Sequence, residues 1–226
     1  MALVTYKGLC IDALDIPTVA EFWSRTIGLR PEHLEGGEAV LRGVEAAQSI
    51  WLNRVPEATS TKHRVHLDVT ATSLEPFAGL DRLSAEGQFP WTVLADPEGG
   101  QFCVFTAADV PVYRLKDLVV DAVDPITVGS WWVDVWGGTL VRDDSGYTYV
   151  DDVPGAPFGV DFVPVPEPKT VKNRIHWDVT LNAGVTIDDL VGRGATLVRA
   201  QDEQIGWTVM SDPEGNEFCA FRGEMS

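Results

Sequence analysis

The sequence predicts an α+β protein built from four βαβββ modules, two in each of two tandem domains over residues 1–112 and 113–226. Three blocks carry this prediction. CIDALDIPTVAEFW from Cys10 returns as VVDAVDPITVGSWW from Val119, VPEATSTKHRVHLDVT from Val55 as VPEPKTVKNRIHWDVT from Val165, and WTVLADPEGGQFCVF from Trp91 as WTVMSDPEGNEFCAF from Trp207. Their order is kept and each recurs after about 110 residues, the period of a duplicated domain rather than of a short solenoid repeat. The boundary falls in TAADVPVYR, residues 106–114, which lacks sustained helical periodicity.

Each copy opens on a short apolar strand, residues 9–14 and 118–123. Asp15 and Asp124 follow as N-caps, with a proline just behind them. Apolar residues then recur at helical spacing, Val19, Phe22, Trp23 and Ile27 in one copy and Val128, Trp131, Trp132 and Trp136 in the other. One helix face is therefore buried, and Gly28 and Gly137 suit the helix ends. AVLRGV, SIWLNRV, YTYVDDV and FGVDFVPV read as strands. In RVHLDVT, Val65, Leu67 and Val69 point one way while Arg64, His66, Asp68 and Thr70 point the other, because side chains alternate along a strand. A second helix is expected over residues 74–84 and 186–192. A strand from Trp91 or Trp207, a DPEG turn at Asp96 or Asp212 and a last strand complete each copy. On that last strand Gln101, Cys103 and Phe105 share one face, as do Glu217, Cys219 and Phe221.

Composition excludes several classes. A net charge of −17 and a pI near 4.4 oppose binding to a phosphate backbone or an anionic membrane, so neither is an expected partner. No stretch approaches the roughly 20 apolar residues of a membrane span, and the start lacks the basic flank and apolar run of a leader. A cytoplasmic monomer or homodimer is expected. Cys10, Cys103 and Cys219 form no close-spaced pair, so neither a disulfide framework nor a zinc knuckle is written.

The helix-opening D-A-x-D with its following aromatic pair, the N-R-x-H-x-D block and W-T-V-x-x-D-P-E-G-N-E-F-C together resemble the vicinal oxygen chelate superfamily of glyoxalases, bleomycin-resistance proteins and extradiol dioxygenases. Within it the chain is most similar to the actinobacterial glyoxalase-like subgroup, over nearly its whole length. The resemblance implies that paired βαβββ units curve into cups whose inner face holds the ligand. His66, Asp68, His176 and Asp178 are then expected to face the cups.

Metal-dependent members of the superfamily take ligands from the first strand, the strand after the midpoint and the last strand. His66 and His176 match the middle position, but the first-strand position falls on Gly8 and Asp117, and the last-strand position on Cys103 and Cys219. The first copy keeps too few of the three protein ligands that a catalytic zinc needs. The expectation is therefore no tightly bound metal and no cofactor. Should a divalent ion bind, its ligands would come from Asp117, His176, Cys219 and Glu217.

The Arg-x-His-x-Asp array reads either as a site, with Asp68 orienting His66 and Arg64 neutralising Asp68, or as a polar lattice bracing the sheet. The thiols read as small packing residues. Ligand contacts are expected from His66, Asp68, Cys103 and Trp91 in the first copy, and from His176, Asp178, Glu217, Cys219 and Trp207 in the second; Trp177 should lie under a helix. Three classes of function follow: a module that sequesters a small aromatic or cationic molecule such as an antibiotic, a metal-dependent lyase, isomerase, transferase or dioxygenase, and a non-catalytic structural or interaction protein. From Thr70 to Trp91 the first copy advances 21 positions, against 27 from Thr180 to Trp207 in the second. That loss predicts a shorter wall in the first cup and places function in the second.

Overall fold

The computed structural model describes residues 1–58, 61–144 and 146–223. The first module runs β1 (Val4–Ala13), α1 (Ile16–Ile27), β2 (Arg30–His33), β3 (Ala39–Arg42) and β4 (Ile50–Arg54). The second has β5 (Val65–Ala71), a single 3-10 turn (Glu75–Phe77), β6 (Thr92–Ala95) and β7 (Gln101–Thr106). The third has β8 (Leu115–Ala122), α2 (Pro125–Trp136), β9 (Thr139–Arg142), β10 (Thr148–Asp151) and β11 (Gly159–Pro164). The fourth has β12 (Ile175–Leu181), α3 (Ile187–Gly192), β13 (Thr196–Arg199), β14 (Thr208–Ser211) and β15 (Glu217–Phe221).

Each sheet draws on both halves of the sequence. The first and fourth modules make an eight-stranded sheet in the order β13-β14-β15-β12-β1-β4-β3-β2, and the second and third a seven-stranded sheet, β6-β7-β5-β8-β11-β10-β9. The seams are antiparallel: β1 joins β12 with Cys10 opposite His176, and β5 joins β8 with Asp68 opposite Asp117. The cups are therefore shared between the repeats.

The helices form where the capping chemistry places them. Asp15 and Asp124 accept the backbone N–H of Thr18 and Thr127, and Gly28 closes α1 in the left-handed region at φ 89°. Their apolar faces fill the space between the sheets. Trp23 of α1 meets Phe102 of β7 edge-on at 5.4 Å, and Trp132 of α2 meets Phe218 of β15 at 5.1 Å and Trp177 of β12 at 5.0 Å. Trp177 thus lies under a helix, as its place on the apolar face of its strand predicts. Val65, Leu67 and Val69 join this core while His66 and Asp68 turn to the other face.

The helix expected over residues 74–84 is not formed: after the 3-10 turn the chain runs through turns and bends, and Arg82 makes an isolated bridge to Leu94. Pro76 and Gly79 both oppose a helix interior there. In the fourth module Thr186 and Asp189 make a capping box and α3 forms. No helix among the described residues is long and apolar enough to cross a membrane.

Candidate functional site

The concave face of the seven-stranded sheet holds a cavity of about 770 Å³, within the range of small-molecule sites. Its floor comes from the polar faces of adjacent strands: His66 and Asp68 on β5, Gln101 and Cys103 on β7, Val119 and Asp121 on β8, Asp161 on β11. One wall is aromatic. Phe89 stacks on Trp91 at 5.2 Å with planes 3° apart, and Trp91 stacks on Phe105 at 5.2 Å. Leu83, Ser84, Gln88 and Phe89, from the short segment between β5 and β6, line one side of this cup.

Opposite the aromatic wall lies a group of carboxylates. One oxygen from each of Asp68, Asp117 and Asp161 lies within 4.8 Å of the others. Burial, reinforced by the charge of Asp117, pushes the Asp161 carboxyl up to about 7, and burial likewise raises Asp117. Lys116 pairs with Asp117 and lies 4.9 Å above the Phe105 ring, and Lys62 donates to Asp121 at 2.7 Å. Burial also raises the Tyr147 hydroxyl, beside Asp161, so it stays protonated and able to donate.

His66 Nε2 lies 3.5 Å from Asp68 Oδ1 and 3.6 Å from the Cys103 thiol, and its Nδ1 lies 3.4 Å from the Gln101 amide. Burial raises the Cys103 thiol well above its ordinary range, which keeps it protonated. Arg64 does not neutralise Asp68: its guanidinium donates to the carbonyls of Glu167 (2.6 Å) and Pro168 (2.9 Å), bracing the loop after β11.

The eight-stranded sheet brings together a different group. His176 and Asp178 lie together with Cys10 of the first strand, and Cys219 stands beside Asp178 on the neighbouring strand. Asp178 accepts from the Cys10 thiol at 3.5 Å and from Cys219, with Lys7 at 3.7 Å. Burial pushes Asp178 up to about 6, holds His176 neutral and raises both thiols. Trp207 lies against Phe221 on the same sheet, with ring centroids 5.6 Å apart and planes tilted by 31°.

The alternative ligand set of Asp117, His176, Cys219 and Glu217 is not assembled. Asp117 belongs to the other sheet because β8 pairs with β5, and Glu217 is engaged by Lys169 at 2.6 Å and the Asn173 N–H at 3.1 Å. Three groups among the described residues could hold a metal ion: Cys10, His176 and Asp178; His66, Asp68 and Cys103; Asp68, Asp117 and Asp161. Sequence reasoning missed Asp161, Tyr147 and Lys116 in the cavity and Cys10 in the other sheet. The alternation of FGVDFVPV puts Asp161 on one face, but only the module pairing says which cup that face lines.

Comparison with known proteins follows this geometry. A family described as "Glyoxalase-like domain" matches residues 8–105 and 117–221. Among curated proteins no sequence matches. Glyoxalase I from Zea mays has a similar solved structure, with 12% identity, a TM-score of 0.64, and 96% of this chain and 92% of that one covered. A candidate dioxygenase from Bacillus subtilis superimposes at 12% identity and a TM-score of 0.62, with 100% of this chain and 87% of that one covered. The cppA protein of Streptococcus pneumoniae does so at 13% identity and a TM-score of 0.53, with 98% and 99% covered. At these identities the likeness is one of fold.

Proposed function

The chain belongs to the glyoxalase-like domain family, and from that premise we propose that it binds a small organic molecule in the cavity of the seven-stranded sheet. The molecule has a flat aromatic part and a cationic or hydrogen-bond-donating part. The observation that carries this reading is that one cavity is lined by a ladder of Phe89, Trp91 and Phe105 and by the buried carboxylates Asp68 and Asp161, with Asp117 beside them. A flat ring extends the stack on Trp91. An ammonium or guanidinium meets carboxylates in a partly dry site, where attraction is stronger than in bulk water. Burial keeps the Cys103 thiol protonated, which makes it a poor nucleophile and suits non-covalent binding. Sequestration of such a molecule, an antibiotic included, requires nothing further.

The superfamily resemblance implies a divalent ion, and His66 with Asp68 and Cys103, or Asp68 with Asp117 and Asp161, would hold one at this cavity. The binding proposed here does not depend on it: the carboxylates act on the organic molecule itself.

Titration with planar aromatic amines and guanidines, with neutral isosteres as controls, tests the reading through tryptophan emission. Saturable quenching by the cationic compounds is expected in the native protein and not in Trp91→Phe. Unchanged emission and melting temperature across the panel would remove the reading.

A further inference from the structure

We infer, resting on the binding proposed above, that Lys116 is a tethered competitor for the ligand. In the free protein its ammonium holds the place that the ligand's cation takes, and binding turns it out into solvent. Lys116 is then the residue that sets the affinity of the site and its choice among cations.

A break in strand register aims this lysine. Along a regular strand Lys116 and Asp117 would point to opposite faces. In the β5–β8 pairing Asp68 stands opposite Asp117 but Val69 stands opposite Leu115, so Lys116 is an extra residue with no partner across the seam. Such a bulge re-aims the side chain it carries. Lys116 consequently lines the cavity, pairs with Asp117 and lies 4.9 Å above the centre of the Phe105 ring. Phe105 is the last ring of the aromatic ladder, and Asp117 belongs to the carboxylate group. An aromatic face and a carboxylate are the partners the ligand's cation would use, and an ammonium of the protein's own already engages both.

The other sheet repeats the arrangement. In the β1–β12 pairing Tyr6 stands opposite Val179 and Gly8 opposite Asp178, which leaves Lys7, the counterpart of Lys116, as the extra residue. Its ammonium lies 4.0 Å from the centre of the Phe221 ring, the counterpart of Phe105, and 3.7 Å from Asp178. Gly8 stands where β8 has Asp117, so here the carboxylate comes from the neighbouring strand. Bulge, lysine and ring recur although the carboxylate has changed. The bulge therefore serves the placement of an ammonium over the ring rather than one particular ion pair.

Exposure decides which partner moves. The Lys116 side chain is 42% exposed and that of Asp117 13%, so the lysine can turn to water while the carboxylate stays. An exposed ion pair and an exposed cation–π contact are each weak, which makes the ammonium displaceable. A site left free about a tenth of the time binds its ligand about tenfold more weakly than an open one. A guanidinium joined to a flat ring overcomes this by also stacking on Trp91, an advantage that a small amine without a ring lacks.

Two measurements on the full chain test this. Titration with a planar aromatic guanidine, followed by tryptophan emission, should show binding about tenfold tighter in Lys116→Met and close to native in Lys116→Arg, which keeps the charge. Lys7→Met, in the other sheet, should leave this affinity unchanged. Circular dichroism checks folding, and Lys116→Gln stands in if Lys116→Met misfolds. Brief acetylation of the native protein, read at Lys116 by mass spectrometry, should be faster with saturating guanidine than without it, because the amine is released to solvent. Unchanged or weaker binding in Lys116→Met overturns the inference, as does acetylation that the guanidine slows or leaves unaltered. Saturable native binding alongside either result leaves the ligand reading standing; no binding by any of these proteins removes both.

Discussion

The Glu98 carboxylate reaches from the turn between β6 and β7 to the backbone N–H of Asp15 at 2.8 Å, in the opposite sheet, just before α1. It also accepts the Leu14 N–H at 2.9 Å, and Glu214 repeats both contacts on Val123 and Asp124 at 2.7 Å. The DPEG motif is thereby explained as structure. Asp96 and Asp212 hold the turn by accepting from the second and fourth residues beyond, and the glutamate staples that turn to the other sheet at a helix start. Glu98→Ala should lower stability by about 1–2 kcal/mol, the worth of hydrogen bonds to a charged acceptor. Glu214→Ala should add to it nearly independently, since the two sites share no partner. Denaturant melts of the single and double variants check both statements.

Ligand affinity in the seven-stranded sheet should rise with pH. Asp161 titrates near 7 in the free protein, raised by burial and by Asp117. A cation binds the ionised form, so affinity climbs between about pH 6 and pH 8 and then levels. The same shift costs the free protein stability. A carboxyl whose folded value exceeds its unfolded one is stabilising at low pH, and that contribution is lost as pH rises through the folded value. Asp161→Asn should flatten the affinity profile and raise the melting temperature of the free protein at about pH 8. Lys116, Asp117, Asp68 and Tyr147 share the site, so calorimetry of the native protein and the variant is the decisive comparison. A slope unchanged in Asp161→Asn would refute the assignment.

The two sheets should respond differently to matched substitutions. Trp91→Ala removes the middle of the aromatic ladder and should weaken the organic ligand by about tenfold, near the ~1.4 kcal/mol of one aromatic stack. Trp207→Ala, at the matching position in the eight-stranded sheet, should leave that affinity unchanged. Equal losses in calorimetric titrations would show that the ligand occupies both cups.

How much of this was legible in the sequence follows from the range of each interaction. Helix caps, turns and strand faces are local, so Asp15, Asp124, the DPEG turns and the alternation around His66 and His176 can be read directly. Which modules share a sheet is decided by pairings such as Cys10 with His176 and Asp68 with Asp117, whose partners lie far apart in the chain. No pattern in either strand names its partner. This is why Asp117 was grouped with His176 rather than with Asp68, and why Cys10 went unnoticed. The shortness of the segment before Trp91 is visible in the sequence, whereas the stacking of Phe89 on Trp91 is not.

The matched tryptophans of the two long helices should behave unequally when the indole nitrogen alone is removed. Trp132 donates its Nε1–H to Asp212 Oδ2 at 3.1 Å, and Asn216 donates to the same oxygen at 3.0 Å, which satisfies a buried carboxylate. Trp23 occupies the corresponding place in α1, but its buried Nε1–H has no hydrogen-bond partner, and Gly100 stands there where the fourth module has Asn216. Trp132→Phe therefore loses packing and also strips a donor from a buried acceptor, and should cost about 3 kcal/mol or more. Trp23→Phe loses similar packing while removing an unsatisfied donor whose burial itself costs about 1–3 kcal/mol, so its net effect should be smaller by at least ~1 kcal/mol. Urea denaturation of the two variants under one set of conditions measures the difference, and equal destabilisation would show that the Trp132–Asp212 bond adds nothing beyond packing.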